Sequence, residues 1–327
     1  MICFEAVFFS AFLEEEMDLT AKAMTVNVNK KKKISSTRKL QLIGGLFSLP
    51  AIMIVTFATI IPVIWNVVLS FCNWDGVSAM SFNGIANFTK IFADRASMKA
   101  IGYSLIIALV ATATAMVLGV GLSLLIYKVT KLEGAIYRFV FYSPVMLPLS
   151  VVGLLFTLVL ATDEGLLNNI LGLIGLKNLQ NAWLAKKGMV LVVIGLVQGW
   201  RSSGTVMMLV YTGIIGLPAD LFESSKLDGA TYGQEVRHII LPLVKPTIQL
   251  ALSMCVMSAF KTYDIVFSMT GGGPGDISKT APLKIIEQAF MFNKYGLAAA
   301  NSVIYAIIVI IILAVLRKGV GGDKYEY

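Results

Sequence analysis

The chain has 327 residues, 57% of them hydrophobic and only 14% charged, with a formal net charge of +8. A soluble domain of this composition would expose more apolar surface than a dispersed monomer tolerates, so a globular aqueous protein is excluded and the bilayer is the natural solvent. The positive balance then belongs to the flanks of membrane spans, which excludes nucleic-acid binding.

Residues 1–39 read as an N-terminal cytoplasmic tail. Ile2 to Leu13 is apolar but too short to span, and Glu14, Glu15 and Glu16 follow it. It lacks the basic start and small-residue cleavage site of a secretory signal. Either the chain begins upstream of its biological start, with Met24 opening the conventional run, or the segment is a mobile tail.

Six apolar windows follow, at 42–71, 101–127, 139–160, 189–212, 247–269 and 297–316, each reaching the ~20 residues that cross the hydrocarbon core. Only the first and second are long enough to suggest tilt or an interfacial continuation. The fold class expected is all-α, a polytopic membrane protein of six transmembrane helices over 40–318 with a short tail at 319–327. Six Lys or Arg lie between 30 and 39, and Lys128, Lys131 and Arg138 crowd the short 128–138 loop. The loops on the other side spread their basic residues among acids. The positive-inside rule places both termini and the 213–246 loop in the cytoplasm, as an even span count requires.

Between the first two windows, Phe71, Trp74, Phe82 and Phe88 suit an interfacial aromatic layer, and 87–92 fits a short surface helix. Gly119 and Gly121, with Ala111, Ala113 and Ala115, suit close helix packing. Pro144 and Pro148 should break the third span and free backbone carbonyls, which membranes tolerate only beside a cavity or packed protein. Gly271-Gly272-Gly273-Pro274 reads as a chain reversal, because it lacks the Lys-Ser/Thr of a nucleotide loop. No nucleotide motif occurs elsewhere, so any ATP chemistry must belong to a partner. Cys3, Cys72 and Cys255 show no ligand spacing, and the single histidine, His238, reads as a surface residue. No metal, cofactor or catalytic group is expected.

The 213–246 loop carries the most information. Pro218 can open a helix, Phe222 and Leu227 fall on a helical stripe, and Gly229 allows a turn with φ > 0. A second periodic run (Val236, Ile239, Ile240, Leu243) is broken by Pro242 and Pro246. Two short helices meeting at a glycine make a compact knob suited to docking. The run Glu223-Ser224-Ser225-Lys226-Leu227-Asp228-Gly229-Ala230, with Leu241-Pro242-Leu243 after it, resembles the signature loop of permease subunits of ATP-binding-cassette importers. That loop reads Glu-Ala-Ala, three residues, Gly, and later an apolar-Pro pair; here Ser224 and Ser225 replace the alanines. The resemblance extends from about 40 to 318, through Phe71-Cys72-Asn73-Trp74, Phe82-Asn83-Gly84 with Asn87-Phe88, and Phe260-Lys261-Thr262-Tyr263-Asp264. It looks like the sugar-importer branch, in the position of the first of two paired permeases. The resemblance implies a bacterial membrane heterodimer with a second permease, two cytoplasmic ATPase subunits and an extracytoplasmic solute-binding protein. It also implies that Glu223, Ser224, Ser225, Leu227, Asp228, Gly229 and Ala230 couple to the ATPase.

Gln198, Arg201, Ser202 and Thr205 fall at i, i+3, i+4 and i+7, one face of a helix, with apolar Val190 to Val197 and Val206 to Val210 around them. An arginine inside a span usually faces a cavity or partner. The face reads as a hydrated stripe that binds solute, on a helix where the resemblance places solute contacts. The same residues would also serve as hydrogen-bonding glue between helices. In the fifth window Ser258, Lys261 and Thr262 share a face, with Asp264 placed to pair with Lys261; a solute role and a headgroup-level ion pair remain equal readings. An ion-coupled secondary transporter is the rival function, but it would want acidic residues at mid-membrane and leave the signature loop without a purpose.

Overall fold

A computed structural model describes residues 33–319. The expectations for residues 1–32 and for 320–327 lie outside the described residues. The described residues form two compact units, one from those up to Thr89 together with Asn293–Ala306, the other from Lys90–Phe292 together with those from Ile307 on.

In the first unit, α1 (Lys33–Val55) runs through a π-helical turn at Thr56–Ile60 into α2 (Ile61–Ser70). Helix therefore begins inside the segment expected to be tail. A two-residue antiparallel pair follows, β1 (Cys72–Asn73) with β2 (Ser81–Phe82), in the register Cys72 to Phe82 and Asn73 to Ser81. Buried Asn87 holds this corner, donating from Nδ2 to the Ser70 and Cys72 carbonyls at 3.0 and 2.8 Å. It lies on α3 (Ala86–Ala93), the expected surface helix. Gly296, in α15 (Tyr295–Gly319), lies so close to the Cys72 carbonyl that a Cβ there would overlap it. The Phe, Asn and Trp motifs of this region thus fold a corner, with the Trp74 and Tyr295 rings tilted against each other, centres 5.5 Å apart.

The second unit is built on α4 (Arg95–Lys128) and α8 (Met189–Ile215), its most extensively packed pair. Asp94 caps α4, accepting from the Ala96 and Ser97 amides, which satisfies orphan donors at the helix start. Glycine sets the separation of the two axes. A Cβ on Gly119 would stand 2.5 Å from Val206, on Gly195 2.7 Å from Val110, and on Gly199 2.6 Å from the Ala111 carbonyl. Gly121 meets nothing within 4 Å and Ala113 is exposed, so these two do not contribute to the expected small-residue contact.

Between them come α5 (Lys131–Tyr142), a 3-10 turn at Ser143–Met146, α6 (Leu149–Val159) and α7 (Leu166–Leu173). The chain bends by 97° between Lys131–Met146 and Leu149–Val159, where Pro144 and Pro148 sit. After α8 follow α9 (Ala219–Leu227), α10 (Tyr232–Glu235), a π-turn at Val236–Ile240 and α11 (Leu241–Leu243). Next are α12 (Lys245–Phe260), α13 (Asp264–Thr270) and α14 (Ala281–Ile286). Gly271 closes α13 in the left-handed conformation, at φ 58°, so the glycine run is indeed a reversal.

Among the described residues four helices are long and apolar enough to cross a membrane: Gly44–Ser70, Arg95–Lys128, Met189–Ile215 and Tyr295–Lys318. Two bent pairs raise the number to six if each is one crossing; the second bends by 68° between Tyr232–Leu243 and Lys245–Phe260. The window expected at 247–269 is not one helix. It stops at Phe260 and restarts at Asp264.

Candidate functional site

The knob has the expected construction. α9 ends at Leu227, Gly229 turns the chain at φ 73°, and the Ala230 amide reaches back to the Ser225 carbonyl at 2.9 Å, closing a Schellman-type end. Thr231 and Gln234 form a capping box that opens α10. Inside the turn, the Ser225 hydroxyl donates to Glu235 Oε1 at 2.8 Å, both groups buried. Serine at a position where the resembled loop has alanine thus joins the two short helices. Glu223, Ser224, Asp228 and Gly229 are exposed, and Ala230 is half-buried. Leu227 is 88% exposed while Phe222 is buried, so the expected shared stripe is wrong. Five positions correspond to about 500° of helical rotation, which separates them onto different faces. His238 is exposed, as expected, with Nδ1 3.1 Å from the Gln234 carbonyl.

The knob is fastened to the helix pair. Phe222 packs near Tyr127 at 5.6 Å between ring centres. The Tyr232 hydroxyl donates to the Leu124 carbonyl, and Lys128 Nζ lies 5.1 Å from the Tyr232 ring centre. Burial first, then Tyr127 and Glu235, pushes the Tyr232 phenol above its ordinary value, so it remains a donor at neutral pH. Ile240 and Val244 join Val206, Val210 and Ile214 in one buried cluster.

The polar face of α8 divides into three parts. Gln198 is buried: its Nε2 donates to the Ser258 carbonyl at 3.3 Å and its Oε1 lies 2.9 Å from the Thr262 hydroxyl. That hydroxyl also lies against the Ala259 carbonyl, and the Thr262 carbonyl accepts from Thr280 Oγ1. Arg201 is spent largely on the broken span, its Nε donating to the Leu147 carbonyl at 3.1 Å and its Nη2 to Val145 at 2.9 Å and Leu147 at 3.0 Å. These carbonyls belong to the C-terminal end of the 3-10 turn and the residue after it, where helical donors run out. Ser202 and Thr205 are half-buried further along the same helix.

Across from Gln198, the side chain of Ser258 is exposed and Thr262 is buried. Lys261 caps the end of α12 at φ −85°, ψ 25°, so Ser258, Lys261 and Thr262 do not share a helical face. The helical spacing expected between Lys261 and Asp264 is lost too, since Lys261 follows one helix and Asp264 opens the next. Tyr263 stacks on Phe267, ring centres 5.5 Å apart.

Two of these partnerships have no sequence signal at the spacing they use. Arg201 meets carbonyls more than fifty positions away, and only the two prolines hint that carbonyls would be free there. Glu235 had one usable signal, an acidic residue in a run whose neighbours Val236 and Ile239 face inward. Gln198→Met should lower the thermal midpoint of the purified protein, because it leaves the Ser258 carbonyl without this donor. The loss of such a buried bond is on the order of 1–3 kcal/mol. An unchanged midpoint would show that the brace carries no weight.

A model of the family described as binding-protein-dependent transport system inner membrane component matches residues 115–318. The probable ABC transporter permease protein YurN of Bacillus subtilis (strain 168) is 31% identical over 288 residues, covering 88% of this chain and 98% of that one. The sulfoquinovosyl glycerol transport system permease protein SmoG of Agrobacterium fabrum (strain C58 / ATCC 33970) is 28% identical, covering 81% and 85%. Among solved structures, a chain of a bacterial ABC transporter that imports the acidic polysaccharide alginate superposes with a TM-score of 0.75 at 19% identity, covering 88% of this chain and 98% of that chain.

Proposed function

Since this chain belongs to the family of inner membrane components of binding-protein-dependent transport systems, we propose that its cargo is a sugar or a related polyhydroxylated solute, moved inward by alternating access. It is a multi-pass membrane permease of an ABC importer, a transport component and not an enzyme. Family membership sets the ion-coupled rival aside. The partners in this reading are a second permease, two cytoplasmic ATPase subunits and an extracytoplasmic solute-binding protein, with both termini and the knob cytoplasmic. A named carbohydrate-derivative carrier among the relatives supports the cargo class.

The observation that carries the coupling role is the exposed tip of the knob. Leu227, Glu223 and Asp228 point outward from a turn whose interior is tied by Ser225 and Glu235. A leucine left 88% exposed between Lys226 and Asp228 suits an apolar groove with charged margins on an ATPase. Cysteines at Leu227 and in that groove should cross-link; cross-linking only through 128–138 would move the docking surface.

For the solute path, the reading narrows to Ser202, Thr205, Ser258 and Lys261, with Gln198 and Thr262 bracing the helices behind them and Arg201 setting the broken span. Uncharged hydroxyls suit a polyhydroxylated solute. In cysteine-scanned variants, water-soluble thiol reagents should modify positions 202, 205 and 258 and spare 198, and solute should protect the first three. Equal labelling of all four, or none, would return the whole face to helix packing.

A further inference from the structure

At the end of α4 remote from the knob lies a cavity of about 360 Å³, lined by Arg95, Lys99, Tyr103, Lys187, Asp276 and Lys279 among others. Lys279 is already engaged, with Asp276 at 2.6 Å and Glu287 at 2.9 Å. Arg95, Lys99 and Lys187 have no carboxylate partner among the described residues, and all three are exposed. Three uncompensated cations therefore converge on one concavity, and none has a role in the knob or the α8 face.

The α4 surface continues from this cavity in a defined way. Positions 95, 99, 106, 109, 113 and 117 follow helical spacing on one side of the helix. All six are exposed, with Ile106 at 42%, Leu109 at 72% and Val117 at 73%. Two cations thus stand above an apolar stripe. From Ile106 to Val117 the helix rises about 16 Å, close to half of a hydrocarbon core about 30 Å thick.

We propose that this surface binds an anionic phospholipid in the leaflet opposite the knob, its phosphate in the cavity and an acyl chain along Ile106, Leu109, Ala113 and Val117. The charge pattern selects a phosphate over a neutral headgroup. Arg95 offers a planar fork that matches phosphate oxygens, and Lys99 and Lys187 add compact charges. Tyr103, half-buried in the cavity wall, adds the amphipathic ring common at headgroup depth. A free phosphate would use the cations and leave the stripe idle, so the stripe is what favours a lipid.

The test is native mass spectrometry of the assembled importer taken from vesicles of phosphatidylethanolamine with added phosphatidylglycerol. Wild type should retain phosphatidylglycerol over phosphatidylethanolamine. The Arg95→Ala, Lys99→Ala, Lys187→Ala variant should bind it on the order of a hundredfold more weakly. Because these side chains are exposed, assembly should be unchanged, and Arg95→Lys alone should keep most of the retention. Leu109→Gln should also weaken retention while inorganic phosphate at millimolar level fails to displace the lipid. Displacement by phosphate with no effect of Leu109→Gln would assign the site to a free anion and overturn the proposal. Equal retention of both lipids, equal retention by the triple variant, or cross-linking from position 99 to a protein partner with no lipid retained would overturn it as well.

Discussion

Gly229→Val should leave the protein assembled in the membrane yet separate ATP hydrolysis from uptake. Gly229 sits at φ 73° with nothing within 4 Å of where a Cβ would stand. The obstacle is therefore backbone conformation and not crowding. A β-branched residue is a genuine outlier in the left-handed region, at a cost of roughly 1–2 kcal/mol. The chain would relieve that cost by opening the turn, which breaks the Ala230 to Ser225 bond and tilts Leu227 away from its partner. Gly229→Asn, which tolerates φ > 0 better, should retain much of the uptake, and Gly229→Asp should lose more through its added charge at the docking tip. ATPase activity and labelled-solute uptake, measured on the same vesicles, decide the matter. Normal uptake by the valine variant would remove the knob from the coupling route.

Arg201→Ala should be the most damaging single truncation on α8. It removes three donated hydrogen bonds and leaves the Val145 and Leu147 carbonyls without that donor at the break in the third span. Hydrogen bonds to charged groups contribute about 1.5–3 kcal/mol each, so an aggregate loss on the order of 3 kcal/mol or more is expected even with incomplete additivity. Arg201→Lys should recover only part, because an ammonium cannot hold the two carbonyls in one planar fork. The measurement is the thermal midpoint of the assembled complex beside its uptake rate. Wild-type stability with uptake abolished would instead make Arg201 a solute contact.

The sequence reading succeeded where a signal was local. Pro218, Gly229 and Pro246 punctuate the knob because each acts on its own backbone. Pro242, in contrast, does not break the second run as expected: it lies within the helix Tyr232–Leu243, and the bend comes at Val244, before Pro246 opens α12. Pro144 and Pro148 disclosed the break for the same reason. Periodicity misled near the C-terminal ends of two helices. Leu227 seemed to share a stripe with Phe222, and Lys261 seemed to continue the face of Ser258, but five positions put Leu227 on another face of α9 and α12 ends at Phe260. Polarity on α8 was legible and its purpose was not. Whether Gln198 faces solute or the Ser258 carbonyl depends on a neighbour sixty residues away, and one helix's spacing holds no record of that neighbour.

The glycine contacts between α4 and α8 have a consequence for anyone who measures motion in this transporter. At Gly119, Gly195 and Gly199 the two helices are so close that sliding one past the other would drive backbone into side chain. α4 alone is 34 residues long, about 50 Å, so the pair is an internal ruler that should read the same in every state of the cycle. Spectroscopic labels placed one on each helix should show no change in separation on addition of ATP. Labels on α6 or α12, beyond the two bends, should show the displacement when read against that fixed pair.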